Sequence, residues 1–125
     1  MVTESKAIQF ENDLHDWYID GVMLLDGSLS LYVHFYEEQK IIKFNGVTRC
    51  LINELLIKNI IYEAKILSAA DHHDLFQVQI QRLDETYPRK WAEPTGIHIL
   101  QITASVGADF VVEFDNLEIK QLSRA

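Results

Sequence analysis

The stretch LLDGSLSLYVHFY, residues 24–36, decides the fold class because it holds a turn and the strand that leaves it. Asp26 and Gly27 stand between two apolar runs, and a type I′ turn requires a positive φ that these two residue types tolerate. From Leu29 to Phe35, apolar residues occupy every second position, which is typical of a strand with one face on the core. The run WYIDGVMLL before the turn is the natural antiparallel partner, so the sequence predicts a β-hairpin.

Further turn and strand signals follow along the chain. Asn45 and Gly46, between KIIKF and VTRCLI, predict a second hairpin by the same turn chemistry. Alternating Phe76, Val78 and Ile80 predict another half-buried strand. IHILQITA and DFVVEFDNLEIKQL flank the short connection SVGA and predict a final long hairpin.

Residues 50–70, CLINELLIKNIIYEAKILSAA, admit two interpretations. As a helix, Glu54 and Lys58 would form an i, i+4 pair, but Asn59 and Glu63 would interrupt the apolar stripe. As two strands, the segment has the β-branched residues that strands favour, and we prefer this interpretation. The next irregular segment, residues 84–96, contains both prolines and predicts a short helix or an ordered loop.

Length and composition predict a single domain, residues 1–125, that is mainly β. The hydrophobic fraction is 48%, which is enough for a packed core. Several strands of this kind predict an antiparallel sheet of seven or eight strands that forms a sandwich or an open barrel. The net charge of −8 argues against binding to nucleic acid or to an anionic membrane surface, and it permits a basic protein partner.

Compartment signals point to the cytoplasm. The start of the chain lacks the basic and apolar regions of a secretory signal, and no apolar run is long enough to span a membrane. Cys50 is the only cysteine, so it has no intramolecular disulfide partner, which is compatible with a reducing compartment. Its apolar neighbours indicate a small buried hydrophobic residue.

Three segments carry a resemblance to known proteins. LHDWYIDGVML has a His-Asp pair before a strand, IKFNGVTRCLINELLIKNIIYEAKIL has the patterns F-x-G-V and N-I-I-x-E, and ILQITASVGADFVVEFDNLEI has a Gly-Ala step between strands. Together they resemble a group of small bacterial proteins of uncharacterised function, some of which look like toxin-immunity proteins. The resemblance runs from His15 to Ile119. It implies a β-rich single domain and supplies no catalytic residues.

The sequence DHHD, residues 71–74, raises the question of a metal site. His72 and His73 are ligand types for zinc, and the pair His15 and Asp16 could join them. A small metal-dependent hydrolase that uses these four residues is therefore an alternative function. Adjacent residues of a strand point to opposite faces, however, and the helical spacing of hydrolytic zinc motifs is absent. We therefore expect a polar loop between two strands at DHHD.

Aromatic residues on the polar face of the first hairpin are the candidate binding residues. Tyr32, His34 and Tyr36 share the face opposite the apolar side chains. Aromatic side chains on a wet face are typical of protein interfaces, and these could equally pack under the segment that contains Trp91. The predicted binding set is therefore Tyr32, His34, Tyr36 and Trp91.

The sequence predicts a non-catalytic intracellular interaction protein, and an immunity-like inhibitor of a basic toxin domain is its sharpest form. No nucleophile turn, phosphate loop or dinucleotide fingerprint is present, so we expect no cofactor, no catalytic residues and no enzymatic activity. A homo-oligomeric scaffold or a carrier of a small ligand is a third possibility, since sheet edges often pair across a two-fold axis.

Overall fold

Antiparallel strands make up most of the computed structural model, which describes residues 14–87 and 98–122. Eight strands form one sheet in this part of the chain, and one helix joins them, which confirms the predicted β-rich fold with an antiparallel sheet. The elements are β1 (Tyr18–Leu25), β2 (Ser28–Phe35), β3 (Glu38–Asn45), β4 (Arg49–Asn53), β5 (Ile60–Leu67), α1 (His73–Thr86), β6 (His98–Val106), β7 (Asp109–Phe114) and β8 (Asn116–Leu122).

The first hairpin has the predicted geometry. Asp26 and Gly27 adopt φ of 49° and 75°, and Leu25 pairs with Ser28 across this two-residue turn. Positive φ at both turn residues is the requirement of a type I′ turn. The β1–β2 ladder shifts its register between Ile19 and Gly21, so Asp20 lies in a β-bulge.

The predicted hairpin at Asn45–Gly46 is wrong. Gly46 has a positive φ of 66°, but β4 pairs with β7 and not with β3. The chain turns a corner here because Val47 N–H donates to the Gly27 carbonyl at 2.8 Å and Asp115 N–H donates to the Asn45 carbonyl at 2.9 Å. These two bonds direct the chain onward instead of back along β3.

The sheet curls because two short connections join strands at one end of the strand order to strands at the other end. The order is β4-β7-β6-β5-β1-β2-β3-β8, while β3 leads into β4 and β7 leads into β8. Asn45 pairs with Asn116 on one side of the corner, and Arg49 pairs with Glu113 on the other. The sheet therefore wraps around a large apolar cluster that includes Leu29, Leu31, Val33, Ile42, Phe44, Ile61, Phe110, Val112 and Phe114.

Residues 50–70 contain strands, as preferred from the sequence, with a tight loop between them. The Asn59 side chain organises this loop, because its Oδ1 accepts from Leu56 N–H and from Ala108 N–H, both at 3.0 Å. Its Nδ2 donates to the Leu56 carbonyl at 2.8 Å. A buried amide with three backbone partners thus ties the β4–β5 loop to the β6–β7 turn.

The predicted strand through Phe76, Val78 and Ile80 is wrong, since these residues lie in α1. Phe76, Gln79 and Leu83 are buried, which is a spacing of three and four, whereas Val78 is exposed. α1 covers a second apolar cluster formed by Leu67, Phe76, Leu83, Ile99 and Val111.

The helix or loop predicted for residues 84–96 lies only partly within the described ranges. α1 ends at Thr86, and residues 88–97 lie outside the described part of the chain. Across residues 14–87 and 98–122, no helix has the length and apolar character needed to cross a membrane.

Tyr87 fastens the end of α1 to β4. Its hydroxyl donates to the Cys50 carbonyl at 2.6 Å and accepts from Cys50 N–H at 3.2 Å. Burial raises the pKa of the Cys50 thiol, although the hydrogen bond with Tyr87 opposes the shift. Burial likewise raises the pKa of the Tyr87 hydroxyl. Both groups are therefore held in their protonated forms by the fold.

These shifts predict an alkaline limit to stability. A raised folded-state pKa gives stability that is complete below the ordinary pKa and is lost as pH rises through the folded value. The ordinary values are 9.0 for the thiol and 10.0 for the phenol, so the loss begins above about pH 9. We expect Cys50→Ala to flatten the fall in unfolding free energy between pH 9 and 11, by at most about 1.4 kcal/mol per pH unit. Urea denaturation at several pH values measures it, and equal slopes in both proteins would refute the assignment.

Candidate functional site

An open cleft of about 470 Å³ lies at the start of β1 and the end of β2. A second depression of about 450 Å³ adjoins it and shares Phe35 and Tyr36, with Glu37 and Glu38 completing its wall. We call the first the hairpin cleft, and it is lined by Asp16, Tyr18, His34, Phe35, Tyr36 and Ile60.

Cross-strand pairing and the bulge together build the floor of the hairpin cleft. Tyr18 is opposite His34 in the β1–β2 ladder, and the two rings stack with centroids 5.0 Å apart and planes 22° apart. The bulge brings Asp20 to the same imidazole, and His34 Nδ1 donates to its carboxylate at 2.7 Å. This bond fixes the ring orientation and leaves the aromatic face of the pair beside the cleft.

Tyr36 forms the rim of the cleft in a costly backbone conformation. It is the first residue of the two-residue β2–β3 turn, with φ of 54°, and the residue is 87% exposed. Its ring contacts Phe35 edge-on at 4.6 Å. Bulky residues seldom adopt this region, which costs on the order of 1–3 kcal/mol, and such strain clusters at functional sites.

The hairpin cleft has the chemistry of a cation site. Asp16 lines it and Asp20 lies beside it, with 61% and 46% of their side chains exposed. Two lysines of the chain form cation–π contacts with rings in this region. Lys58 Nζ lies 5.9 Å from the centroid of the Tyr18 ring, and Lys40 Nζ lies 4.9 Å from the centroid of the Trp17 ring. Aromatic faces with nearby carboxylates attract ammonium and guanidinium groups.

The structure places the predicted binding residues in different environments. His34 and Tyr36 line the hairpin cleft, whereas Tyr32 is not among its lining residues. Trp91 lies outside the described residues. The sequence interpretation missed Tyr18, which faces His34 only because the bulge shifts the register by one residue.

His15 and Asp16 are engaged where the chain enters β1. His15 Nδ1 donates to the Tyr62 carbonyl at 2.7 Å, and its Nε2 lies 3.5 Å from Asp16 Oδ2. Asp16 has φ of 69°, and its N–H donates to the Ile61 carbonyl at 2.8 Å. These bonds hold the entry turn against β5 and place the Asp16 carboxylate at the cleft.

The DHHD sequence forms the turn before α1 and the first residues of that helix, which corrects the expected loop between two strands. Ser68 N–H donates to His72 Nδ1 at 3.3 Å, and Asp71 N–H donates to the Ser68 hydroxyl at 3.2 Å. α1 begins at His73. Within residues 14–87 and 98–122, no group of three or more His, Cys, Asp or Glu side chains is arranged to hold a metal ion.

A buried ion group joins β4, β7 and α1. Arg49 donates to both carboxylate oxygens of Glu113, from Nε at 2.8 Å and from Nη2 at 3.0 Å. Its Nη1 donates to Asp84 Oδ1 at 2.6 Å. The hydrogen bond with Glu113 raises the pKa of Arg49. Arg49 and Glu113 are fully buried, so this group serves the attachment of the helix rather than an open site.

Among the described residues, the hairpin cleft is thus the place where strained backbone, exposed aromatic surface and carboxylates coincide. Its chemistry suits recognition of a cation. Comparison of the chain with protein-family models, with curated proteins and with solved structures finds no match.

Proposed function

We propose that this protein is a non-catalytic interaction protein whose hairpin cleft receives a lysine or arginine side chain of a basic protein partner. The observation that carries the proposal is the exposed ring of Tyr36, held at positive φ beside the Tyr18–His34 stack. Glycine and asparagine adopt positive φ at lower cost, and the turn nevertheless carries an exposed aromatic ring.

Charge supports a basic partner. The net charge is −8, and Glu37 and Glu38 extend the acidic surface from Asp16 and Asp20 along the β2–β3 turn. A surface of one sign raises the association rate of an oppositely charged protein and suppresses docking of like-charged ones. We expect the association rate to fall as salt rises, because exposed charges are screened beyond roughly 10 Å at about 0.1 M ionic strength.

Inhibition of a basic toxin domain, as in immunity proteins, is the specific form of this proposal. A small acidic protein with a curled sheet offers a preformed surface, and preformed surfaces lose little conformational entropy on binding. The hydrolase alternative gains no support from the positions of its residues, because His15 and His72 have the local partners described above.

Two matched pairs of variants test the role of the hairpin cleft. Tyr36→Asn removes the ring and relieves the strain, so we expect binding of a tetra-arginine peptide to weaken about five-fold, equivalent to about 1 kcal/mol. The unfolding free energy should rise by about 0.5–1 kcal/mol, since asparagine tolerates positive φ. Tyr36→Phe keeps the ring and should bind like the unmodified protein. Isothermal titration calorimetry and urea denaturation measure the two effects.

The second pair separates local charge from net charge. Asp16→Asn should weaken peptide binding, whereas Glu85→Gln makes the same charge change on α1 and should have a smaller effect. Equal losses from both variants would show that the peptide senses only net charge. Unchanged affinity in Tyr36→Asn would exclude the cleft as the binding site.

A further inference from the structure

Among residues 14–87 and 98–122, nothing pairs with the second half of β1 on the edge that faces β5. β1 pairs with β5 only through Tyr18 and Ile60. Toward β5, Ile19 N–H donates to the Asn59 carbonyl at 2.8 Å. Beyond Ile19, no backbone hydrogen bond joins this edge to any residue in the described ranges.

Turn geometry identifies the backbone groups that face outward. In a two-residue hairpin the flanking residues, here Leu25 and Ser28, exchange hydrogen bonds, and bonded and non-bonded pairs then alternate. The N–H and C=O groups of Leu24 and Val22 therefore point away from β2. Together they provide two donors and two acceptors at the spacing of an antiparallel ladder.

Apolar side chains surround these groups. Met23, Leu24 and Leu25 are 49%, 59% and 62% exposed. Leu55, Leu56 and Ile57, in the loop that leads to β5, are also exposed. β5 runs antiparallel to β1 and starts opposite Tyr18. The loop that precedes β5 therefore lies on the same side of Tyr18 as the second half of β1 and the β1–β2 turn.

The two strands at the ends of the strand order, β4 and β8, carry protection that the second half of β1 lacks. The N–H and C=O groups of Cys50 in β4 are both bonded to the Tyr87 hydroxyl. β8 exposes Glu118 and Lys120, and charged side chains discourage pairing with another chain. An exposed apolar edge without such protection is typical of a site for strand addition.

Charge determines which strand this edge can accept. Asp20 and Asp26 stand at the two ends of this edge, and a second copy would bring the same carboxylates and the same net charge of −8. Docking of two surfaces of like charge is unfavourable. A second copy is therefore disfavoured, whereas a strand with apolar residues at its centre and lysine or arginine at its ends complements the edge.

We propose that the β1 edge from Val22 to Leu25 binds an extended, basic-flanked segment of a partner protein by antiparallel strand addition. This inference goes beyond the cation site, because it concerns backbone pairing and holds whether or not the hairpin cleft is occupied. Main-chain hydrogen bonds supply affinity in such complexes, and side-chain contacts supply specificity.

The test uses the full ¹⁵N-labelled chain and a capped peptide, Lys-Thr-Val-Thr-Val-Thr-Lys. Hydrogen exchange at the Val22 and Leu24 amides should be fast in the free protein. Saturating peptide should lower the exchange rate at least ten-fold. A peptide methylated on the threonine and valine nitrogens cannot form the ladder and should leave exchange unchanged. Leu24→Pro removes one outward donor and should weaken binding about five-fold or more, whereas Leu24→Thr retains it.

The remaining outcomes each overturn the proposal. Slow exchange at both amides in the free monomer would show that the chain covers its own edge. Slow exchange that depends on protein concentration would identify a second copy as the occupant. Peptide binding that shifts Tyr18 and His34 without protecting Val22 and Leu24 would assign the peptide to the hairpin cleft alone. Hydrogen exchange at the Val22 and Leu24 amides of the unmodified protein tests the proposal even if Leu24→Pro does not fold.

Discussion

Replacing Arg49 by methionine is expected to lower the free energy of unfolding by about 3–5 kcal/mol. Arg49 neutralises Glu113 through two hydrogen bonds in a site without solvent access. Its removal leaves a buried carboxylate without its cationic partner, and removal of one member of a buried pair is far more costly than replacement of both. Chemical denaturation of the purified variant measures the loss.

The matched control replaces both buried partners. Arg49→Met combined with Glu113→Leu removes both buried charges, and we expect it to recover most of the loss. Asp84→Asn should cost only about 1 kcal/mol, because Asp84 keeps 32% of its side chain exposed. A loss below about 1 kcal/mol for Arg49→Met, or a double variant no more stable than the single one, would contradict the role of the ion group.

Gly107→Ala is expected to destabilise the fold by about 2–4 kcal/mol. Gly107 has φ of 87°, which is unfavourable for alanine. A Cβ at this position would also overlap the Asn59 side chain, with Cγ at 2.9 Å, and lie 2.8 Å from the Lys58 carbonyl oxygen. Asn59 cannot retreat without losing its three backbone hydrogen bonds.

Gly27→Ala is the matched control for backbone strain alone. Gly27 has a similar φ of 75°, but no atom of the described residues lies within 4 Å of the point that a Cβ would occupy. We expect this substitution to cost about 1 kcal/mol. Urea denaturation of both variants separates strain from overlap. Equal losses would show that the contact with Asn59 contributes nothing beyond the positive φ.

The sequence predicted those parts of the fold that depend on local signals. The Asp26–Gly27 turn and the alternation from Leu29 to Phe35 define the first hairpin, and both are observed. The same turn chemistry failed at Gly46, because hydrogen bonds that join Val47 to Gly27 and Asn45 to Asp115 set the direction of the chain, and Gly27 and Asp115 are distant in sequence. A turn rule that considers only neighbouring residues cannot predict such contacts.

The helix was missed because short apolar windows fit two periods. Phe76, Val78 and Ile80 alternate, but Phe76, Ile80 and Leu83 also fit a helix with a spacing of four and three. The decisive residue is Gln79, which is buried and donates to Gln101 Oε1 at 2.8 Å. A buried polar residue with a distant partner gives no apolar signal in the sequence.

The sequence predicted two of the residues at the candidate site and missed two others. His34 and Tyr36 were predicted from their exposed face, and both line the hairpin cleft. Tyr18 and Asp20 were not, because an unbulged hairpin with Leu25 opposite Ser28 would place Tyr18 opposite Phe35. The bulge shifts that pairing to His34 and creates the stacked pair.

The most direct measurement of the central claim is an NMR titration of the ¹⁵N-labelled protein with tetra-arginine peptide at low salt. We expect the largest chemical-shift changes at Tyr18, His34 and Tyr36, and we expect Tyr36→Asn to abolish these changes at Tyr18 and His34. Changes spread evenly over exposed carboxylates, including those of α1 such as Glu85, with no maximum at the hairpin cleft, would contradict it.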